Sequence, residues 1–488
     1  MTYLQQHARS IAEPAAFWAE QARSLAWYQA PANSLESLPD GTHRWFADGR
    51  LNSAYLALDR QIEEGRGEQT ALIYDSPVTG TQDRYSYLRL RDEVARLAGA
   101  LRALGVGKGD RVIIYMPMVP QAAMAMLACA RLGAVHSVVF GGFAPYELAL
   151  RIDDATPKLV LTASCGLEFD RVIEYKPLVD KALELAIHQP AHVMVWQRPQ
   201  ALARLHPGRD LDWQDCLAAA EPADPLPVAS GDPLYIMYTS GTTGKPKGIV
   251  RDNGGHAVAV RYAVRTIYGM QAATNRAVPG YHVQVLDDEG RPLGANRQGA
   301  IVIALPLPPG CAQTLWGDHP RYLQAYLGNY PGYYHTGDGG YLDEDGFVYI
   351  MGRTDDVINV SGHRLSTGEM EERVAQHQAV AECAVIGVRD ELKGHVPLGL
   401  VVLKDDAGIA AEQLQRELVA LVREQIGALA CFQRVVVVKR LPKTRSGKIL
   451  RAVLRKIADG EDYAAPSTID DPTILGEIEA ALRVRKAG

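Results

Sequence analysis

Between residues 112 and 196 the sequence repeats one pattern, a short apolar run followed by a helix-forming run. Val112–Met116, Val135–Phe140, Leu159–Thr162 and His192–Trp196 are the apolar runs, and the Ala-rich segment Gln121–Leu132, closed by Gly133, is the clearest intervening helix. Strands that alternate with helices pair in parallel through right-handed crossovers, and strands apolar on both faces are covered on both. The repeat therefore predicts an α/β domain around a parallel sheet. The most apolar stretch, residues 112–130, is interrupted by Pro117, Pro120 and Gln121. It reads as a buried strand and a core helix, not a membrane span.

A chain of 488 residues exceeds one core, so further domains are expected. The pattern changes after Gly280. Tyr281–Leu286, the turn Asp287-Asp288-Glu289-Gly290 and Ala300–Leu305 read as antiparallel strands, as do Gly340–Leu342 and Phe347–Met351 about the loop at 343–346. These predict a barrel-like β piece. A third region begins near residue 355. Ser366-Thr367-Gly368-Glu369 has the form of a capping box opening a helix to about Gln376. Strands at Cys383–Val388, Leu398–Leu403 and Val435–Val438, an amphipathic helix at Glu412–Ile426 and a basic helix at Ser446–Ile457 complete a small α+β domain. The division expected is residues 1–355 and 356–488.

The net charge of −6 argues against a nucleic-acid partner. The six cysteines include no CxxC pair, and the N-terminal residues have no basic stretch followed by an apolar run. Reduced thiols, a cytoplasmic location and no membrane partner are the simplest expectations.

Residues 238–248, YTSGTTGKPKG, hold four Thr or Ser hydroxyls, three glycines and two lysines. Glycines let successive backbone N–H groups converge, and hydroxyls and lysines add donors and positive charge, so such a loop can cradle phosphate oxygens. It is expected to join a strand over Leu234–Tyr238 to a helix over residues 253–268. It is not a Walker A loop, because Thr239 and Pro246 stand where that motif needs Gly and Ser or Thr.

This loop resembles the phosphate-loop signature of the acyl-adenylate-forming enzymes, the superfamily of acyl-CoA synthetases and adenylation domains. YHTGD at 334–338, GRTDDVINVSGHRLSTGEME at 352–371 and LPKTRSGKILR at 441–451 resemble further motifs of that superfamily, in the expected order. IVRDNGGHAVAVRYAVRTIYGM and AECAVIGVRDELKGHVPLGLVVLK look closest to propionyl-CoA synthetase, with acetyl-CoA synthetase the near neighbour. The resemblance implies a large N-terminal domain of parallel α/β subdomains with a barrel-like piece, and a small, mobile C-terminal domain. It implies that ATP, coenzyme A and propionate or acetate are substrates, with Mg²⁺. By motif, Lys448 is the adenylation cation. Thr239, Ser240, Gly241, Thr242, Thr243, Gly244 and Lys245 hold phosphates, Asp338 and Arg353 the ribose, and Arg364 a phosphate. Ser361, Gly362, Arg423 and Arg171 are placed toward coenzyme A, with Glu168 standing where acetyl-CoA synthetases often have Arg. Asp355 matches the hinge. Enzymes that acylate and deacylate Lys448 are implied as partners. An adenylation domain feeding a carrier protein is the competing class, and Arg423 and Arg171 speak against it. His136, His256 and His335 have no partner at metal-ligand spacing and are expected to be structural or pocket-lining rather than metal ligands.

The resemblance breaks in one place. Only 85 residues separate Gly248 from Tyr334, where the family carries a much longer segment. The join falls near residues 271–274. The second α/β subdomain is thereby truncated, and the Glu that meets Mg²⁺, the adenine contact and most of the acyl pocket would lie in the missing part. A catalytically impaired form is therefore an alternative to an active synthetase.

Overall fold

The computed structural model describes residues 3–141, 145–168, 171–239, 247–266, 277–354, 357–360, 363–390, 394–405, 407–426, 431–444, 447–466 and 469–484. The chain divides into two compact units: Met1–Ala273 with Val278–His282 and Leu305–Gly328, and Thr274–Ala277 with Val283–Ala304 and Asn329–Gly488.

The first unit is built on an eight-stranded sheet. Its order is Asp210–Asp212, His192–Trp196, Leu159–Ala163, Arg111–Met116, Val135–Phe140, Pro233–Thr239, Lys247–Asp252 and Thr314–Leu315. The first six run parallel, Lys247–Asp252 runs antiparallel to them, and Thr314–Leu315 is antiparallel to Lys247–Asp252 in turn. Successive residues of the central strand enter different cores: Val112, Ile114 and Met116 pack with the helices Tyr87–Ala103 and Pro120–Leu132, and Ile113 and Tyr115 with Pro145–Ala155 and Tyr175–Leu185. Burying such a side chain contributes about 1.5–3 kcal/mol, which fixes the register of the strand between two helical layers. Local signals set the helix ends. Ser86 Oγ accepts the Arg89 N–H at one N-terminus, and Gly133, in the left-handed region at φ 70°, ends the Pro120–Leu132 helix.

In the second unit, Val283–Leu286, Gly299–Ala304, Tyr333–Leu342 and Val348–Arg353 form a four-stranded antiparallel sheet, the barrel-like piece of the sequence. A five-stranded sheet follows, centred on the long pair Val380–Asp390 and Gly394–Leu403. Helices Thr367–Ala375 and Ala411–Gln425 cover one face, and Arg451–Asp459 and Thr473–Val484 the other, each face with its own apolar core. Among the described residues no helix is long and apolar enough to cross a membrane, and the six cysteines carry no disulfide.

Asp252 ends the Lys247–Asp252 strand and caps the next helix, Gly254–Thr266. It is 1% exposed and accepts hydrogen bonds from the Gly255 and His256 amides and from Gln313 Nε2, the last at 2.7 Å. Burial outweighs these bonds and pushes its carboxyl up to about 7. A raised native value means stability is fully present below the unfolded-state value and is lost as pH rises through 7. His136, buried and held down at about 4, acts in the opposite sense below pH 6.5, so the contribution of Asp252 is read by difference. Asp252→Asn keeps a cap acceptor and removes the charge. Relative to wild type, its urea midpoint is expected to gain as pH rises from 5 to 7.5, with a slope approaching about 1.4 kcal/mol per pH unit. A constant offset at both pH values would assign Asp252 a capping role alone.

Candidate functional site

The phosphate loop is held differently from the strand–loop–helix arrangement expected. Lys247–Asp252 is a strand that pairs antiparallel with Pro233–Thr239 as a β-hairpin, Thr239 opposite Lys247, and the helix begins only at Gly254. The reason lies in a short period-two pattern. Gly248, Val250 and Asp252 are buried, and Lys247, Ile249 and Arg251 are half-buried between them. The hairpin is pinned beside the loop. Tyr238 donates its hydroxyl to Asp154 Oδ2 at 2.6 Å, and the Arg151 guanidinium lies 5.6 Å from the Tyr238 ring centre. Burial and the Asp154 carboxylate raise the Tyr238 phenol far above its ordinary range, so it remains a donor. Gly248 is required by contact: a β-carbon there would lie 2.8 Å from Ile236 Cγ2 and 2.9 Å from the Tyr238 ring. Ser240, Gly241, Thr242, Thr243, Gly244 and Lys245 lie outside the described residues, and of Thr239 only the backbone is described.

Asp338 and Arg353, picked from separate motifs, are brought together. They stand opposite each other on the strands Tyr333–Leu342 and Val348–Arg353. Arg353 Nη1 lies 3.3 Å from Asp338 Oδ1 and donates to the Thr336 carbonyl at 3.0 Å. The Thr336 hydroxyl receives the Asp338 amide and donates to the Ile301 carbonyl. Gly337 has φ 79°, and a β-carbon on it would strike the Arg353 guanidinium. Both side chains are partly exposed, at 30% and 52%, so the pair faces solvent, where a carboxylate and a guanidinium can exchange partners for ligand hydroxyls. YHTGD, whose Asp ordinarily marks a turn, is here part of a strand.

Lys448 precedes its helix. The sequence predicts helix from Ser446, yet the helix starts at Arg451 and Lys448 sits exposed in a tight loop closed by the Lys443–Ile449 bridge. Gly447, at φ 83°, supplies the left-handed step that breaks the helical run. Thr444 organises this loop, a role the sequence reading missed. Its N–H donates to the Lys448 carbonyl at 2.7 Å, its carbonyl accepts the Gly447 N–H at 2.8 Å, and its hydroxyl accepts the Lys448 N–H at 3.1 Å. The backbone of Lys448 is thus fixed while its ammonium stays in solvent. The signal available was a Thr four residues before the Lys.

Arg423 is exposed near the end of the Ala411–Gln425 helix. Arg171, on the other unit, is paired at 3.0 Å with Glu168, and both are largely exposed. Such a pair is worth little and yields easily to a phosphate. Arg364 lies on the strand His363–Ser366 opposite Asn359; its side chain is not described. Asp355, Ser361 and Gly362 fall outside the described residues.

Among the described residues, one group has metal-ligand spacing, Asp180, His206 and Asp210. Lys176 Nζ lies 2.6 Å from both carboxylates, and Arg209 pairs with both as well. Two cations already balance this cluster, so it does not fit a divalent ion.

Three family models match the chain: "Acetyl-coenzyme A synthetase N-terminus" at residues 3–57, "AMP-binding enzyme" at 58–274 and "AMP-binding enzyme C-terminal domain" at 369–448. The chain is similar to an uncharacterised protein of Pseudomonas aeruginosa, 77% identical over 628 residues and covering 100% of both chains. It is 38% identical to the human mitochondrial acyl-CoA synthetase short-chain family member 3, over 99% of this chain and 91% of that one. It is 35% identical to the propionate–CoA ligase of Escherichia coli, over 99% and 100%. In fold it matches an acetoacetyl-CoA synthetase from Streptomyces lividans with a TM-score of 0.85 at 22% identity, over 98% and 94% of the two chains. The match to the Pseudomonas protein spans 628 residues against 488 here, leaving 140 positions that only the relative fills.

Proposed function

The chain belongs to the AMP-binding enzymes, within the short-chain acyl-CoA synthetases, and from that premise we propose that its reaction is the activation of propionate. Members of this family are acid–thiol ligases that use ATP and coenzyme A as substrates. The observation that carries the choice of acid is the end-to-end match to a propionate–CoA ligase. Acetate is the nearest alternative acid.

The chemistry has two halves. A propionate oxygen attacks the α-phosphorus of ATP, and the bond to the bridging oxygen breaks, giving propionyl-adenylate and pyrophosphate. The sulfur of coenzyme A then attacks the acyl carbon, its proton is lost, and AMP leaves. In the first half a carboxylate approaches a polyanion, so cations must offset the charge that gathers at the transition state. Lys448 is assigned that place: a compact ammonium on a backbone fixed by Thr444. The hydroxyls, amides and Lys245 of the hairpin loop hold the phosphates, with Arg364. Asp338 accepts from the ribose hydroxyls, and Arg353, which touches Asp338, holds that carboxylate in place. In the second half Ser361 and Gly362 face the pantetheine, and Arg423 and Arg171 take the phosphates of coenzyme A. Asp355 is the hinge between the two poses. Mg²⁺ would enter with the phosphates of ATP.

A second reading, a catalytically impaired form, is favoured by the 140 positions absent from the chain. The acid is tested by exchange of labelled pyrophosphate into ATP, which registers slow adenylation. Exchange is expected to be greater with propionate than with acetate, by less than the roughly tenfold that one methylene is worth in a complete apolar pocket, because most of that pocket falls in the absent positions. Equal stimulation by both acids would overturn the assignment of propionate.

A further inference from the structure

The strand pair Pro233–Thr239 and Lys247–Asp252 ends at Thr239 and Lys247, the residues on either side of 240–246. Whatever holds these two strand ends sets where the segment between them begins and finishes. Each end carries a side chain that reaches a different element. On the first strand, Tyr238 meets the Pro145–Ala155 helix twice. Its hydroxyl donates to Asp154 Oδ2 at 2.6 Å, and the Arg151 guanidinium lies 5.6 Å from its ring centre. Arg151 is 3% exposed and is held by Glu147, one turn earlier, through the carboxylate at 2.5 Å and the carbonyl at 2.7 Å. On the second strand, Lys247 Nζ lies 5.6 Å from the centre of the Tyr326 ring, within the range at which a ring face attracts an ammonium. Tyr326 packs at 5.4 Å against Tyr322, which is 2% exposed and donates its hydroxyl to the Ala312 carbonyl at 2.8 Å. Both contacts lead to buried parts of the same unit.

We infer that Asp154 and Tyr326, residues outside all four motif segments, are positioning residues for the phosphate loop: Asp154 holds one strand end through Tyr238, and Tyr326 holds the other through Lys247. The inference rests on the reading of residues 239–245 as the phosphate site. Its physical content is preorganisation. A loop whose ends are held before the ligand arrives loses less freedom on binding, so more of each amide and hydroxyl contact is realised as affinity. The same arrangement divides the two lysines of the loop. The Lys247 ammonium is engaged by the Tyr326 ring, and the phosphates fall to Lys245.

The test is the affinity of the 488-residue chain for inorganic tripolyphosphate with Mg²⁺, measured by isothermal titration calorimetry. This probe calls on the phosphate cradle and not on an adenine contact. Tyr238→Phe keeps the ring beside Arg151 and removes only the hydroxyl, and Asp154→Ala removes only the acceptor. Each is expected to weaken binding about two- to tenfold, the range of one hydrogen bond. The double variant is expected to lose no more than either single one, because both break the same bond. Asp154→Asn keeps an oxygen that accepts the hydroxyl and is expected to stay within about twofold of wild type. Tyr326→Leu is expected to weaken binding about two- to fivefold, the worth of one cation–π contact, and Tyr326→Phe to leave it unchanged. Urea midpoints of the same variants separate positioning from folding. Losses from Tyr238→Phe and Asp154→Ala that add, or that follow the midpoints, remove Asp154 from this role, and full affinity in Tyr326→Leu removes Tyr326. Binding that no variant changes overturns the inference alone. A wild-type chain that does not bind tripolyphosphate overturns the phosphate reading and the inference with it.

Discussion

Given ATP, Mg²⁺, propionate and coenzyme A, the 488-residue chain is expected to release AMP at least about 10³-fold more slowly than the roughly 1–10³ s⁻¹ usual for enzymes. The argument is one of missing contacts. A preorganised donor or cation aimed at the transition state is worth about 10²–10³ in rate. The absent positions lie between the phosphate hairpin and the strand of Asp338, where the resemblance places the adenine contact, the Mg²⁺ carboxylate and most of the acyl pocket. Among the described residues the one group of three with metal-ligand spacing, Asp180, His206 and Asp210, is already paired with Lys176 and Arg209. Loss of chemistry is distinguished from loss of fold by hydrogen exchange. The cores of the second unit, with Leu398, Leu400, Leu414 and Leu418 buried, are expected to stay protected while turnover is low. Steady-state turnover within the usual range would show that the absent segment is dispensable and sink this expectation.

How far the sequence could be read depended on the range of each interaction. The strands at 135–140 and 192–196 were legible because each is a continuous apolar run between helices, and the structure places them at those bounds. Their order in the sheet was not, because it is set by pairings among distant segments. The strand at 247–252 was hidden by its shortness and by Gly248, which reads as loop until Ile236 and Tyr238 are seen pressing on it. Lys448 was identified by motif, but its setting was misread. A basic, apolar-periodic run predicts helix, and one left-handed glycine together with three hydrogen bonds from Thr444 overrides that preference for the first turn. The pairing of Asp338 with Arg353 needed two antiparallel strands in register, which neither motif announces on its own.

Lys448→Ala is expected to lower propionate-dependent pyrophosphate exchange by about 10²–10³, the cost of one transition-state cation, while leaving thioester formation from supplied propionyl-adenylate within about twofold of wild type. The split follows from where charge develops. Carboxylate and α-phosphate repel each other only in the first half-reaction; in the second the nucleophile is a sulfur and AMP carries its charge away. The variant is also a mild one structurally. Lys448 is exposed, and the bonds that close its loop are made by the backbone, so alanine keeps all of them. Lys448→Arg restores the charge on a wider, planar head and is expected to recover part of the exchange but not all. Acylation of Lys448 removes the same charge and should reproduce the alanine result in proportion to its occupancy, read by mass spectrometry beside the exchange rate. Equal loss in both half-reactions, or full exchange at complete acylation, would remove Lys448 from the adenylation step.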